Sequence, residues 1–309
     1  MKFELTVLGS SSATPTFNRH PTSQLLIIRS KYILIDCGEG TQMQLMRYRI
    51  KYHKISHIFI SHLHGDHYLG LMGLLSTMHL QGRNSELHIY GHPELMDTIE
   101  LQLRLSQTVL RYNLVFHPLK HFTGAIILED EDIMVRSVVL NHRIPCNGFV
   151  FTEKKLPRKI LMDKIHENQI PVSALQQIKF GKDYIGENGQ LISNEELTLD
   201  SAEPRSYAFI SDTKYDEYLV EDIKGVDLLY HEATFMDDMH ERAEATFHST
   251  GKQAGKIAGL AGVGKLLIGH FSARYRDLDP MLEETRTVFK NTELATEGSI
   301  FEIPVKAST

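Results

Sequence analysis

The densest run of chemically competent side chains in this 309-residue chain is Ser61-His62-Leu63-His64-Gly65-Asp66-His67, an H-x-H-x-D-H pattern. His62 and His64 stand two apart, a spacing that turns both to one side of an extended backbone. Asp66 and His67 follow Gly65, where a helix should begin, and can turn toward a second position. Three imidazoles and a carboxylate so close together are costly to bury unless they pair or ligate a metal. Imidazole combined with carboxylate suits Zn²⁺ best among the common ions. The plainer reading is a solvated surface cluster, and residues elsewhere in the chain argue against it.

Those residues sit at the ends of short apolar runs. Residues 57–60 run into His62 and His64, 133–140 into His142, 207–210 into Asp212, 226–230 into His231 and Glu232, and 266–268 into His270. Runs of this length and composition read as buried strands. Helical patterns over 68–80, 93–110, 250–260 and 279–290 lie between them, so the expected class is α/β, with mixed sheets covered by helices. Five strand ends that carry ligand-type residues point to one site on a rigid scaffold. His248 precedes Ser249-Thr250, a good helix N-cap, so its ring should be held at a loop–helix junction.

Composition narrows the class. Histidine is frequent, 17 residues, whereas two cysteines, Cys37 and Cys146, exclude a disulfide scaffold and a cysteine-based zinc finger. A formal charge of −6 excludes a uniformly basic nucleic-acid coat but not a local basic patch. Residues 1–9 read as a strand and not as a leader, and the longest uncharged stretch, 67–82, is too short for a bilayer. A cytoplasmic protein without a membrane partner is expected. Gly259 to Lys265 fits G-x-x-x-x-G-K, but Leu266 stands where a phosphate loop needs Ser or Thr, so no nucleotide cofactor is expected. His53, His57, His79, His88, His92, His117 and His121 are read as structural, and Cys37 as a small buried side chain.

One segment differs from the rest. Residues 153–184 carry seven Lys or Arg against four Asp or Glu, and 185–203 carry five acids and no Lys or Arg. A solvated excursion is one reading; a projecting arm whose basic part touches a polyanion is the other.

The H-x-H-x-D-H run after an apolar strand resembles the metallo-β-lactamase superfamily, and the remaining motifs resemble its ribonuclease Z family. They are Leu8-Gly9-Ser10, residues 36–42 (DCGEGTQ), Leu140-Asn141-His142, Ser211-Asp212-Thr213, residues 231–234 (HEAT), His248-Ser249-Thr250 and residues 270–275 (HFSARY), in family order over nearly the whole chain. The resemblance implies a single αββα sandwich over residues 1–309 with an inserted flexible tRNA-binding arm at 153–203. It implies two Zn²⁺ per subunit: one on His62, His64 and His142, the other on Asp66, His67 and His270, bridged by Asp212. A carboxylate has two oxygens and can span two ions, which a neutral imidazole cannot. It further implies a homodimer acting on precursor tRNA. Hydroxide activated by the two metals would attack phosphorus after the discriminator nucleotide, leaving a tRNA 3′-OH. Asp66 would serve as base, His248 as general acid, and Glu232 would orient His248. Asn147-Gly148-Phe149 departs from the family's more usual Gly-Tyr. A small-molecule metallo-hydrolase of the same superfamily is the alternative, and a zinc-dependent RNA-binding protein without catalysis a more remote one.

Overall fold

A computed structural model describes residues 2–120, 122–186 and 188–305, so His121 lies outside the described residues. The chain divides into two compact units, residues 1–152 with 206–303, and residues 153–205 with 304–309.

The larger unit is built on two seven-stranded sheets. The first runs Ile300–Glu302, Phe3–Gly9, Ser23–Ile28, Lys31–Cys37, Ile55–Phe59, Leu87–Gly91, Leu114–Pro118. The second runs Thr292–Leu294, Lys265–Gly269, Leu228–Glu232, Ser206–Ile210, Asn147–Glu153, Ile133–Val139, Ile126–Glu129. Four consecutive strands in each sheet are parallel, Lys31–Cys37 to Leu114–Pro118 in the first and Ser206–Ile210 to Thr292–Leu294 in the second.

Period-two alternation distributes the apolar side chains over three layers of core. Ile33, Ile35, Phe59 and Tyr90 from the first sheet meet Phe149, Phe151, Phe209 and Tyr230 from the second. Their alternating neighbours face outward: Leu34, Ile58 and Ile89 pack on Leu45, Leu74, Leu75 and Leu95, and Leu229 and Ile268 on Ala254, Ile257 and Ala258. The result is helix, sheet, sheet, helix, the expected αββα sandwich.

The strands fall where the apolar runs place them, with His231 and Glu232 forming the last two residues of Leu228–Glu232 and not the turn after it. Three of the four helices are shorter than their patterns, and Gly251–Ala261 matches its own within one residue. The expected helix over 68–80 is two, Gly65–Tyr68 and Leu71–Leu80. The break is at Gly70, whose amide donates to Cys37 O at 2.9 Å and where an added Cβ would lie 2.1 Å from Gly38 O. Only glycine permits that approach. Helix Pro93–Leu105 stops where Gln107 turns left-handed (φ 49°), and the last helix is Asp279–Arg286. Thr250 caps Gly251–Ala261 in a reciprocal arrangement with Gln253. The G-x-x-x-x-G-K stretch is the turn from that helix into Lys265–Gly269.

The smaller unit holds the segment expected as an arm. Its short helices Met162–Glu167, Leu175–Lys179 and Asn194–Leu197 enclose a cluster of Ile165, Ile170, Ile178, Ile192 and Leu197. At its base the Arg205 guanidinium grips Glu153 through two bonds of 2.8 Å, both side chains buried. It is a folded unit with its own small core and not a bare solvated loop.

Candidate metal centre

Asp36 is the penultimate residue of the first of the parallel strands in sheet one, and Ser61 to His67 follow the next. Asp212, Glu232 and His270 stand at or just past the ends of three parallel strands of sheet two. Sites in sheet proteins form at such carboxyl ends, where loops can aim side chains that the sheet holds still.

Two groups of side chains converge there. His62, His64, His142 and Asp212 bring ligand atoms together, and so do Asp66, His67 and His270. In the first group His62 Nε2 lies 3.0 Å from His64 Nδ1, which lies 3.1 Å from His142 Nε2. In the second, His270 Nε2 is 3.3 Å from Asp66 Oδ2. Asp212 touches both: Oδ1 is 3.9 Å from His62 Nε2 and His142 Nε2, and Oδ2 is 3.1 Å from His67 Nε2 and 3.3 Å from His270 Nε2.

Four of the five rings, all but His64, are fixed from behind. His67 Nδ1 donates to Asp36 at 2.6 Å, His142 Nδ1 to the carbonyl of Phe247 at 3.1 Å, and His270 Nδ1 to Thr234 Oγ1 at 2.9 Å. His62 Nδ1 meets Ser61 Oγ at 3.0 Å. These bonds consume one nitrogen and leave Nε2 with a bare lone pair facing the cluster, the arrangement that metal-ligating histidines use. His67 Nε2 is buried with no hydrogen-bond partner, a cost that a bound cation would remove. The donor set, all N and O, fits a divalent transition-metal ion.

Electrostatics agree with that fit. Burial, reinforced by neighbouring imidazoles, holds His62 neutral well below its ordinary value. Burial also lowers His64 and His142, against the pull of Asp212. Burial opposes ionisation of Asp66 and Asp212, but the surrounding histidines outweigh it and keep both carboxylates far below the usual range. Burial opposes charge on His67 as well, but Asp212, Asp66 and Asp36 outweigh it and raise His67 well above its ordinary value, so the buried carboxylates draw positive charge into the site.

Beside this cluster lies a second pair. His248 Nδ1 is 3.0 Å from Glu232 Oε1, with Glu232 fully buried. Burial disfavours the imidazolium, but Glu232 and then Asp212 reverse the balance and raise His248 to about 9. Glu232 also accepts from the amides of Thr213 at 2.6 Å and Ser249 at 3.1 Å, so the turn after Asp212 and the turn after His248 hang on one carboxylate.

The backbone is strained where these groups meet. Nine non-glycine residues among those described have positive φ, and four of them are Asp36 (54°), Asp212 (63°), Phe247 (61°) and His270 (57°). A fifth, Ala13 (59°), donates its amide to Asp66 Oδ2 at 2.7 Å. Such conformations cost about 1–3 kcal/mol each and persist only where the surroundings dictate them.

A relative named ribonuclease Z from Bacteroides fragilis (strain YCH46) is 47% identical over 297 residues, 96% of this chain and 98% of its own. The chain belongs to the ribonuclease Z family. The crystal structure of human tRNase Z, short form, superposes on 97% of this chain and 99% of its own with a TM-score of 0.73 at 28% identity. A metallo-β-lactamase fold protein, YhfI from Bacillus subtilis, shares the fold with a TM-score of 0.69 at 18% identity, over 98% of this chain and all of its own. Residues 3–145 also match the family model of the anti-Pycsar protein Apyc1, which covers the part carrying the H-x-H-x-D-H run. The two-sheet sandwich is therefore the metallo-β-lactamase fold.

All seven residues expected as ligands, with His248 and Glu232, come together in one place. Sequence reasoning missed the supports behind the rings: Asp36, Thr234, the Ala13 amide and the Phe247 carbonyl. Only Asp36 carried a signal, the turn-forming DCGEG stretch next to a strand. The Phe149 ring packs fully buried against Phe59 (5.3 Å) in the inter-sheet core. Cys37 is buried, with its thiol pushed up to about 12 by desolvation, and so is inert. His57, His88 and His117 stack with Tyr90 on the first sheet, as structural rings do.

Proposed function

We propose that this chain is a zinc-dependent endoribonuclease that cuts precursor tRNA after the discriminator nucleotide, removing the 3′ trailer. One observation carries this reading: six ligand-type side chains converge around Asp212 in a chain 47% identical to a ribonuclease Z over nearly its whole length. The proposed zinc pair has His62, His64 and His142 on one ion, Asp66, His67 and His270 on the other, and Asp212 between. When bound, such a pair lowers the pKa of water toward neutrality and offsets charge on the transferring phosphate.

The chain's own groups do the rest. Asp66, anchored by the Ala13 amide, orients the attacking water opposite the leaving oxygen and accepts its proton. The water oxygen bonds to phosphorus as the P–O3′ bond breaks. His248, charged at neutral pH and with Nδ1 committed to Glu232, donates the Nε2 proton to O3′. The products are a 3′-OH on the tRNA and a 5′-phosphate on the trailer. An open cavity of about 510 Å³ in the loops that follow Ala13 and His270, lined by Phe17, Arg19, Tyr275 and Arg276 among others, offers cations and rings of the kind that RNA uses.

Residues 153–203 are proposed as the tRNA-binding arm; their basic first part on an otherwise acidic chain supports phosphate contact. By family likeness the acting species is a homodimer working in the cytoplasm; among the described residues no helix is long and apolar enough to cross a membrane. Replacing residues 154–204 by a short Gly-Ser linker tests the substrate. Loss of precursor cleavage by at least about 100-fold, with hydrolysis of bis(p-nitrophenyl) phosphate retained, is expected. Equal rates on the precursor before and after replacement would defeat the arm reading, and precursor never cut by either form would favour a small-molecule hydrolase.

A further inference from the structure

Phe247 stands apart among the strained residues, because it is no expected ligand yet meets His142 twice, through its carbonyl and, edge-on at 6.5 Å between ring centres, through its ring. It closes helix His240–Thr246 at φ 61°, ψ 46°, the left-handed cap position that glycine normally fills. Its carbonyl accepts from His142 Nδ1 at 3.1 Å, which requires that nitrogen to carry the proton and leaves His142 Nε2 bare toward His64 and Asp212. The peptide that begins at that carbonyl ends in His248, whose amide donates to Ala243 O at 2.8 Å and whose ring lies 5.5 Å from that of His142.

The strained turn is clamped from the other side. Lys214 Nζ sits 4.3 Å over the Phe247 ring, and the Lys214 amide donates to Asn141 O at 3.0 Å, one residue before His142. The Asn141 amide in turn donates to Thr213 Oγ1 at 3.2 Å, and Ser249 Oγ donates to Thr213 O at 2.7 Å. The turns bearing His142, Asp212 and His248 are thus laced around one residue. If Phe247 took the right-handed conformation, the helix would continue, the carbonyl would swing onto the helix axis, and His142 Nδ1 would lose its acceptor.

We infer that the left-handed backbone at Phe247 is a positioning device, setting the His142 ring for metal and delivering His248 beside it from a single peptide. The aromatic ring supplies the cation–π clamp that keeps the backbone there, in place of the freedom a glycine would have. The inference rests on the zinc reading above, so metal retention is measured separately from cleavage.

Phe247→Val and Phe247→Gly, zinc-loaded, should be titrated with a competing chelator, and their kcat and KM determined on precursor tRNA. Val resists the left-handed region and is expected to weaken zinc retention at least about 10-fold and to lower kcat more than KM. Gly adopts that region freely and is expected to restore retention to within about threefold of the parent. If Phe247→Val does not fold, Phe247→Ala replaces it and should fall below Phe247→Gly by at least about threefold. Val retaining zinc and kcat like the parent, or Gly failing as Val does, would overturn the inference. Absence of zinc binding in the parent would overturn it together with the reading it rests on.

Discussion

Glu232 makes four bonds from one fully buried carboxylate: to the His248 ring, to the amides of Thr213 and Ser249, and to the Thr234 hydroxyl. A lone buried charge there would be untenable, and the partners explain why it stays ionised. The consequence is a histidine raised to about 9, kept as an acid at neutral pH and about 5 Å between ring centres from His270 and His142. His248→Ala should lower kcat on RNA, whose leaving alkoxide needs a proton, by about 10²–10⁴-fold. On bis(p-nitrophenyl) phosphate, whose leaving group departs without one, the loss should be at least tenfold smaller; equal losses would make His248 a structural histidine. At this scale the ligands were readable because H-x-H-x-D-H keeps four of them within six residues, and His142, Asp212 and His270 end apolar runs. Asp36 was not readable as a support. Its partner His67 is 31 residues away, and nothing in DCGEG says which ring it will meet.

Elements carry a different kind of constraint. The strands were legible because each buried run ends at a polar side chain; the helix ends were not, because tertiary contacts fix them. Gly70 breaks a helical pattern through its approach to Gly38 O, and that contact crosses from one element to another. The stacked rings on the first sheet give a pH dependence that belongs to elements. Burial, with help from His88, Lys31 and His117 and against Asp130, holds His57 at about 4. The folded value lies below the unfolded 6.5, so the unfolded chain takes up the proton first. Stability is whole above pH 6.5 and falls as pH drops toward 4. His57→Gln should lose roughly 2 kcal/mol less than the parent between pH 7 and pH 4.5, measured by urea unfolding. An identical acid profile in both would contradict the assigned burial.

The whole molecule pairs a rigid sandwich with a smaller unit that has its own apolar cluster. Both sheets feed the site from the carboxyl ends of their parallel strands, and neither could build it alone: His62, His64, Asp66 and His67 come from the first, Asp212 and His270 from the second. The smaller unit was legible in charge and not in structure, because its helices of four to six residues hold too few turns for a periodic pattern. The most direct test of the account is cleavage of a precursor tRNA with a 3′ trailer by the zinc-loaded protein, with Asp66→Ala alongside and the product ends mapped. The account predicts a single cut after the discriminator nucleotide, a 3′-OH on the tRNA, and loss of that cut in Asp66→Ala. Cuts scattered along the precursor, or an unchanged cut in the variant, would contradict it.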